Sequence, residues 1–517
     1  MNADIDRPWP SIIFILPLLL CCSCIHKPTQ LTPIVLDGTF KDWENIPTQL
    51  DERSEPTISE FDILSVRTHH SDDQVHVMLT LDRSVNLQGL DSPLNLLLDL
   101  DNLSTTGSTL HEMKGVDLVV QFSPPNQESP SSRGMGVGVR RITESTRQIG
   151  KAPTVPHAAI GLLMAPTYAS ENVELALSRS TSIPAMETLF PNNSFRMKWV
   201  HTSNAGILTE ETAIQSHSLK PSIIARVKDN SSRHRLAKNP SDLRVMTWNV
   251  EYGTILKKPT LYARILRAIN PDVILLQELT QTEEPDRLKA FFNEQIPREG
   301  LEWQVLLSSD TGSIGNGIAT PLPIEAVPAL SRIPYPNRPE WAVRAIGGKV
   351  TLRDGKKLLL SSVHLKCCGR IGSREDETRL LETAAINKSI KQATDSDQFD
   401  GIITGGDLNL VGAYTPIERL AVGLDFDQTN LSILSADRLD SRSNATWANP
   451  DERFVPGRLD YLLLSRSSLS ERKAFVLNTA ELSTDERTRY GLQPNDSSEA
   501  SDHFPIIADL YFTNAQE

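Results

Sequence analysis

The strongest constraint on the fold is a change of sequence pattern at Leu243. Before it, short alternating runs such as QVHVMLTLD (74–82) and VELALS (173–178) are separated by Gly, Pro, Asn and Asp. Strands at this spacing predict a β-sandwich. After Leu243, segments such as DVILLQEL and GIITGGDL are apolar throughout their centres. Strands of that kind are usually covered on both faces, so the second part is predicted to be a layered α/β domain.

The length of the chain agrees with two domains. Its 517 residues are too many for one ordinary hydrophobic core. We predict an accessory β-sandwich over residues 31–225, a polar linker over 226–241 and an α/β domain over 242–515. In the α/β domain, the periodic runs TLYARILRAIN (260–270) and 374–393 predict helices between buried strands.

The first 24 residues are predicted to be a signal peptide. Arg7 is followed closely by an apolar stretch that is short for a membrane span and suitable for a signal-peptide core. Ser23 and Cys24 resemble the lipobox of bacterial lipoproteins, with lipid attached at Cys24. A plain secretory signal is the alternative, and a membrane-spanning anchor is the third. We therefore expect an exported protein, either tethered by lipid to a bacterial membrane on its outer surface or periplasmic face, or secreted.

Charge and cysteine content narrow the function only slightly. Lys and Arg number 52 against 65 Asp and Glu, a net charge of -13, which is unlike a non-specific nucleic-acid binder. A nucleic-acid enzyme is still compatible, because a metal ion can supply local positive charge. Cys367 and Cys368 are adjacent, and the sequence leaves open whether they form a disulfide or remain thiols.

Polar side chains stand at the ends of the buried strands of the α/β domain. One such residue is more often a cap or a turn, but six apolar strands with polar residues at their ends indicate a shared site, because buried polar groups need partners. In GGDLNL (405–410), Asp407 and Asn409 are two residues apart and are expected to share a strand face. The full set is Asn249, Glu251, Glu278, His364, Asp407, Asn409, Asp460, Asp502 and His503.

The residue types in this set predict a chemistry. Oxygen ligands without a Cys/His quartet suit a hard divalent cation such as Mg²⁺ or Mn²⁺ rather than structural zinc. Two histidines with separate carboxylates suit proton transfer during hydrolysis. Together they indicate cleavage of a phosphoester by activated water.

Six motifs in order, TWNVE, LLQEL, SVHLK, GGDLN, GRLDYLLLS and SDHFPI, resemble the endonuclease/exonuclease/phosphatase superfamily over residues 242–515. This resemblance implies a four-layer α/β/β/α sandwich with the site at one edge of two packed sheets. It also implies a metal site in which Glu278 is the principal ligand, Asn249 and Glu251 lie beside it, and Asp502 is a further acidic ligand.

The same resemblance implies catalytic roles for five residues. Asp407 would hold or deprotonate the attacking water, and Asn409 would donate to a phosphate oxygen. Asp460 would orient His503 as an Asp–His pair. His364 would contact phosphate or assist the leaving group.

Simpler readings compete at four positions. Asp460 is also compatible with an ion pair to Arg458, and Glu251 with a solvated side chain. Arg370 and Arg379 are candidates for binding phosphate, and the alternative is that they are exposed loop or helix arginines without such a role.

The N-terminal runs LDGTFKDWENI (36–46) and LLLDLDNLSTTG (96–107) resemble family-9 carbohydrate-binding modules. The resemblance implies an accessory domain that binds a glycan or an envelope surface. Trp43 is either a buried anchor or a platform for a sugar ring. Asp99, Asp101 and Asn102 are candidate calcium ligands, with an unliganded turn as the alternative.

The chain is therefore expected to be an exported, metal-dependent hydrolase of phosphate esters. DNA, a phospholipid headgroup and a sugar or inositol phosphate all fit as the substrate. The alternative is a non-catalytic surface-binding lipoprotein on a degenerate hydrolase scaffold, although the full set of site residues favours an enzyme.

Overall fold

The computed structural model describes residues 33–51, 60–125, 134–220, 235–280, 284–309 and 311–513. The predicted signal peptide, the predicted lipid-attachment residue Cys24 and residues 226–234 of the predicted linker lie outside these ranges. None of the helices in the described ranges is both long and apolar enough to cross a membrane.

The N-terminal part consists of strands and short 3-10 helices. Its strands are β1 Thr48–Asp51, β2 Ile63–His70, β3 Gln74–Val85, β4 Leu94–Asp99, β5 Ser108–Leu110, β6 Met113–Val116, β7 Leu118–Phe122, β8 Val137–Arg141, β9 Thr154–Val155, β10 Leu163–Ala165, β11 Ser170–Ser178, β12 Ser194–Thr202, β13 Leu208–Glu211 and β14 Gln215–Ser218. The 3-10 helices are Phe40–Trp43, Leu87–Gly89, Ile149–Lys151 and His157–Ile160.

Two sheets of this part pack face to face. One has the order β1-β2-β3-β11-β10, and the other β13-β12-β4-β7-β8-β9 with β14 beside β12. Alternate residues of both sheets, among them Leu79, Leu96, Val120, Leu175 and Trp199, share one buried core. Since side chains alternate across a strand, this pattern is the one that the alternating runs predict, and the all-β region is confirmed.

The DG…W motif is an internal anchor of the sandwich. The backbone N–H groups of Asp37 and Gly38 donate to Glu174 Oε1 at 2.9 and 2.8 Å, and Trp43 Nε1 donates to Glu174 Oε2 at 2.9 Å. The Trp43 side chain is 0% exposed. A sugar ring cannot stack on a ring that solvent does not reach, so Trp43 is the buried anchor and not a sugar platform.

The C-terminal part alternates strands and helices. Its strands are β15 Leu243–Asn249, β16 Val273–Thr280, β17 Gln304–Leu307, β18 Ile314–Thr320, β19 Ile324–Ala326, β20 Pro334–Tyr335, β21 Arg338–Ala342, β22 Ala345–Thr351, β23 Lys357–His364, β24 Gly401–Asp407, β25 Ser432–Ile433, β26 Asp437–Arg438, β27 Asp460–Leu464, β28 Leu469–Val476 and β29 Ile506–Phe512. Its helices are α1 Thr254–Lys257, α2 Pro259–Ile269, α3 Pro285–Gln295, α4 Pro328–Ser331, α5 Arg374–Ser396, α6 Thr415–Ala421, α7 Thr484–Tyr490 and α8 Asp496–Ala500, with a 3-10 helix at Thr479–Glu481.

These elements form four layers. The sheets have the orders β17-β18-β16-β15-β29-β28-β26 and β19-β22-β23-β24-β27-β25. Val245, Leu275, Leu360, Ile403 and Leu462 lie in the apolar core between the sheets. A second core joins the first sheet to α2 and α3, and a third joins the other sheet to α5 and α6. The predicted α/β/β/α sandwich is confirmed.

Strand direction brings the polar strand ends together. The central pairs β15–β16 and β23–β24 are parallel, so the carboxyl ends within each pair meet at one edge of its sheet. β27 runs antiparallel to β24, which places Asp460 directly opposite Asp407. A site at one edge of two packed sheets follows from this arrangement.

The sandwich packs against loops at the same edge. Ala169 N donates to Gly412 O at 2.8 Å, and Val137 N donates to Arg453 O at 2.7 Å. Asn86 Nδ2 donates to Val411 O at 2.9 Å. The sequence gives no sign of these contacts, because they join residues hundreds of positions apart.

Candidate active site

One buried amide holds two carboxylates from the two sheets together. Asn249 Nδ2 donates to Glu278 Oε1 and to Asp407 Oδ2, both at 3.0 Å. Glu278 reaches this position because the pairing of β16 with β18 is irregular between Leu276 and Leu279, and Glu278 itself has a φ of +59°. Such a bulge redirects a side chain at a strand end. Glu278 Oε2 also accepts the N–H of Tyr252 at 3.1 Å.

Asp407 and Asn409 line the same cleft, although not for the reason that the strand pattern suggests. β24 ends at Asp407, and Asn409 lies beyond it with a φ of +49°. Asn409 N donates to Asp407 Oδ1 at 3.0 Å, and Asn409 Nδ2 donates to Leu365 O at 3.3 Å. Burial raises the pKa of Asp407 to about 7, with His503 opposing and Glu278 adding to the shift.

His503 and Asp460 form the expected Asp–His pair. His503 Nδ1 is 2.8 Å from Asp460 Oδ2, and His503 Nε2 is 3.8 Å from Asp407 Oδ2. Burial alone would lower the pKa of His503, but the carboxylates of Asp460 and Asp407 outweigh it and raise the pKa to about 10. Arg458 instead donates to Leu434 O at 2.8 Å, so the competing ion-pair reading of Asp460 is wrong.

His364 is enclosed beneath the carboxylates. It is 2% exposed, and its Nε2 lies 3.5 Å from Asp407 Oδ2 and 3.9 Å from Glu278 Oε1. Its buried Nδ1 has no hydrogen-bond partner among the described residues. Burial, followed by the charge of Arg344, holds the pKa of His364 well below its ordinary value, which favours a neutral ring.

Glu251 and Asp502 lie beside this centre. Glu251 N donates to Asn249 Oδ1 at 3.0 Å, and burial followed by the charge of Asp502 raises the pKa of the Glu251 carboxyl. Asp502 Oδ2 accepts a hydrogen bond from Trp447 Nε1 at 2.8 Å. Sequence reasoning missed Trp447, which stands in a turn-like run, TWANPDE, with no pattern that marks its partner.

The donor chemistry fits a hard divalent cation. Ligand atoms of Glu278, His364 and Asp407 lie within 4.8 Å of one another, as do those of Asp407, Asp460 and His503. No lysine or arginine ion pair to Glu278 or Asp407 occurs among the described residues, and the negative charge of Glu278 is available to a metal. The structure joins Asn249 and Glu278 by a hydrogen bond and leaves Glu251 and Asp502 outside both groups. The assignment of the four as ligands stays a prediction.

The two arginines and two cysteines near the site are now located. Arg379 is 0% exposed and donates to Lys366 O and Cys368 O, so its reading as an exposed helix arginine is wrong. Arg370 pairs with Asp91 of the sandwich at 2.8 Å. Cys367 and Cys368 are free thiols whose Sγ atoms are 2.9 Å apart.

The fold and the cleft define a phosphoesterase- or nuclease-like α/β/β/α domain. Residues 246–503 match the model of the Endonuclease/Exonuclease/phosphatase family. No relative was found among curated proteins. The resemblance of the N-terminal part to carbohydrate-binding modules is not confirmed and stays a prediction.

Solved structures that match about half of the chain have low sequence identity to it. The human Nocturnin catalytic domain with bound sulfate is 20% identical, covering 54% of this chain and 97% of its own, with a TM-score of 0.35. A family protein from Bacteroides thetaiotaomicron is 16% identical over 53% of this chain and 100% of its own, with a TM-score of 0.37. The 3' phosphatase NExo from Neisseria, bound to a product DNA hairpin, is 16% identical over 53% and 100%, with a TM-score of 0.34.

Proposed function

We propose that the C-terminal domain is a divalent-metal-dependent hydrolase of phosphate esters. The observation that carries the proposal is the Asn249 amide, which joins Glu278 and Asp407 at 3.0 Å each. The His503–Asp460 pair faces the same cleft. Two carboxylates without a lysine or arginine partner and an adjacent protonated imidazole are parts that hydrolysis of a phosphoester uses.

Each residue has a role that its surroundings support. A bound Mg²⁺ or Mn²⁺ would neutralise charge on the phosphate and lower the pKa of a water molecule. Asp407, whose pKa burial raises to about 7, can accept a proton from water near neutral pH. His503, whose pKa the Asp460 and Asp407 carboxylates raise to about 10 against the effect of burial, keeps its proton and can donate to a phosphate or leaving-group oxygen. Asn409 lines the cleft as an amide donor.

The competing proposal is a binding protein on a degenerate hydrolase scaffold. Glu278, Asp407, Asn409 and His503 all line one cleft, whereas a degenerate copy should have lost at least one of them. Completeness of the set therefore supports the enzyme.

A parallel assay tests the proposal. The full chain is incubated with Mg²⁺ or Mn²⁺ and, separately, with bis-(p-nitrophenyl) phosphate, plasmid DNA and sphingomyelin. We expect metal-dependent release from at least one, reduced about 100-fold or more in Glu278→Ala and His503→Ala. Release that needs no metal, or release by both variants equal to that of the natural chain, would contradict the metal-dependent hydrolase.

Export, lipid attachment at Cys24 and glycan binding complete the proposal and are supported by sequence alone. Expression in a bacterium with radiolabelled palmitate tests the first two, because label should enter the natural chain and not Cys24→Ser. Retention on an insoluble polysaccharide tests the third.

A further inference from the structure

One wall of the catalytic cleft comes from the N-terminal sandwich, and we call its residues Gln88 and Met135 the sandwich wall. The cleft holds a cavity of about 500 Å³ that Glu278, Asp407 and His503 line on one side. Gln88 and Met135 of the sandwich line it too, together with C-terminal loop residues that include Phe454 and Val455. The sandwich can therefore contact the ester group of a substrate whose phosphate is bound at the Glu278 and Asp407 carboxylates.

This wall is firmly attached to the catalytic domain. Val455 N donates to Gln88 Oε1 at 2.9 Å, and Gly136 N donates to Gln88 O at 2.8 Å. Gly136 has a φ of +74°, and a Cβ atom there would lie 2.5 Å from Arg453 O, so the two backbones are in close contact. Met135 is held between these contacts and therefore has a defined position at the cleft.

The lining is apolar and nearly free of basic side chains. Met135, Val411, Phe454, Val455 and Leu459 contribute apolar surface. Arg370 is the single lysine or arginine among the described lining residues, and it is already paired with Asp91. A nucleic acid carries many phosphates and binds through several cations, so this cavity is poorly suited to it.

We propose that the sandwich wall, together with the neighbouring loop residue Phe454, sets substrate choice, and that the site takes a phosphodiester with a single phosphate whose second ester group is apolar and lies against Met135 and Phe454. The proposal rests on the hydrolase function proposed above. It assigns Met135 and Phe454 as specificity-determining residues, although neither belongs to the metal or catalytic set.

A series of alkyl p-nitrophenyl phosphates with methyl, butyl and octyl groups varies the apolar ester group while the leaving group stays the same. In each, the water oxygen bonds to phosphorus, the bond from phosphorus to the nitrophenyl oxygen breaks, and nitrophenolate and alkyl phosphate form with protons passing to the buffer. Because a buried methylene contributes about 0.8 kcal/mol, kcat/KM should rise by up to about fourfold per methylene until the cavity is filled.

Matched variants locate the effect. Met135 is 44% exposed and Leu103, in the same domain but outside the cleft, is 47% exposed. Met135→Asp should lower the octyl-to-methyl ratio of kcat/KM by about tenfold or more, and Phe454→Ser should lower it in the same direction. Leu103→Asp should keep the natural ratio, and thermal melts verify that all three variants fold.

Each outcome decides something. The specificity proposal is supported if kcat/KM rises with alkyl length, if Met135→Asp removes this rise and if Leu103→Asp keeps it. Three results would overturn the specificity proposal and leave the hydrolase standing. They are equal kcat/KM across the series, an equal octyl-to-methyl ratio in Met135→Asp and Leu103→Asp, and faster cleavage of plasmid DNA per phosphate than of the octyl ester. Absence of metal-dependent release from every ester overturns the hydrolase and the wall together.

Discussion

Two acidic clusters in this protein contain similar residues but are neutralised differently. Asp99, Asp101 and Asp117 in the sandwich bring carboxylate oxygens within 4.8 Å of one another, as Glu278 and Asp407 do with His364 in the cleft. In the sandwich, Arg196 forms an ion pair with Asp99, Leu100 N donates to Asp117 at 2.9 Å, and Thr106 Oγ1 donates to Asp101 at 3.0 Å. One arginine and two neutral hydrogen-bond donors of the protein therefore stabilise the sandwich carboxylates.

In the cleft, the positive charge comes from the protonated His503 beside Asp407, and Glu278 has no cationic partner among the described residues. The described residues supply Glu278 and Asp407 with amide and backbone N–H donors and with imidazoles, but with no guanidinium or ammonium group. Burial raises the pKa of Asp117 and of Asp407 alike to about 7, so a raised pKa does not distinguish the clusters. The counter-charge does, because Arg196 pairs with Asp99, whereas the charge of Glu278 has no cationic partner among the described residues and is available to a ligand.

The largest expected effect is on catalysis. Glu278→Gln keeps the size of the side chain and removes its charge, so kcat for a phosphodiester should fall by about 100- to 1000-fold, equivalent to roughly 3–4 kcal/mol. Steady-state kinetics with Mn²⁺ measures this. Asp117→Asn makes the same carboxyl-to-amide change in the sandwich and should leave kcat unchanged; an equal loss in both variants would erase the distinction between the clusters.

A smaller effect should appear in metal-dependent stability. If the cleft takes up Mn²⁺, the metal at about 100 times its Kd should stabilise the fold by about 2.7 kcal/mol and raise Tm by about 5 °C. Calorimetry with and without EDTA checks this. The shift should vanish in Glu278→Gln and persist in Asp117→Asn, and the reverse result would place the metal in the sandwich.

The smallest expected effect is on the stability of the sandwich, through its Asp99, Asp101 and Asp117 cluster. Asp99→Asn leaves Arg196 without its buried counter-ion and should cost about 2 kcal/mol of unfolding free energy, read from urea denaturation. Since Arg196 already supplies the positive charge, we expect Ca²⁺ to shift the Tm of the natural chain by less than about 1 °C. A shift as large as that from Mn²⁺ would make Asp99, Asp101 and Asn102 a calcium site after all.

The layers and the cleft were accessible from sequence for a definite reason. The burial of a strand can be predicted from the local periodicity of apolar residues. Parallel pairing then places the strand ends that carry Asn249, Glu278 and Asp407 at the same edge of the packed sheets. Trp447 was not accessible, because only the folded loop brings its indole to Asp502. Arg379 looked like an exposed helix arginine, and its burial depends on the carbonyls of Lys366 and Cys368, which no helical pattern reveals.

The beginning of the described chain depends on residues made near its end. Leu36 N donates to Arg442 O at 3.0 Å, Asn444 N donates to Leu36 O at 3.2 Å, and Asn444 Nδ2 donates to Asp37 O at 2.8 Å. During synthesis the ribosome must therefore add about four hundred further residues before the Leu36 segment can make its final pairing. The first domain to emerge is consequently completed only after most of the second has been translated, and the time needed to reach Asn444 sets the earliest moment at which the Leu36 segment can pair.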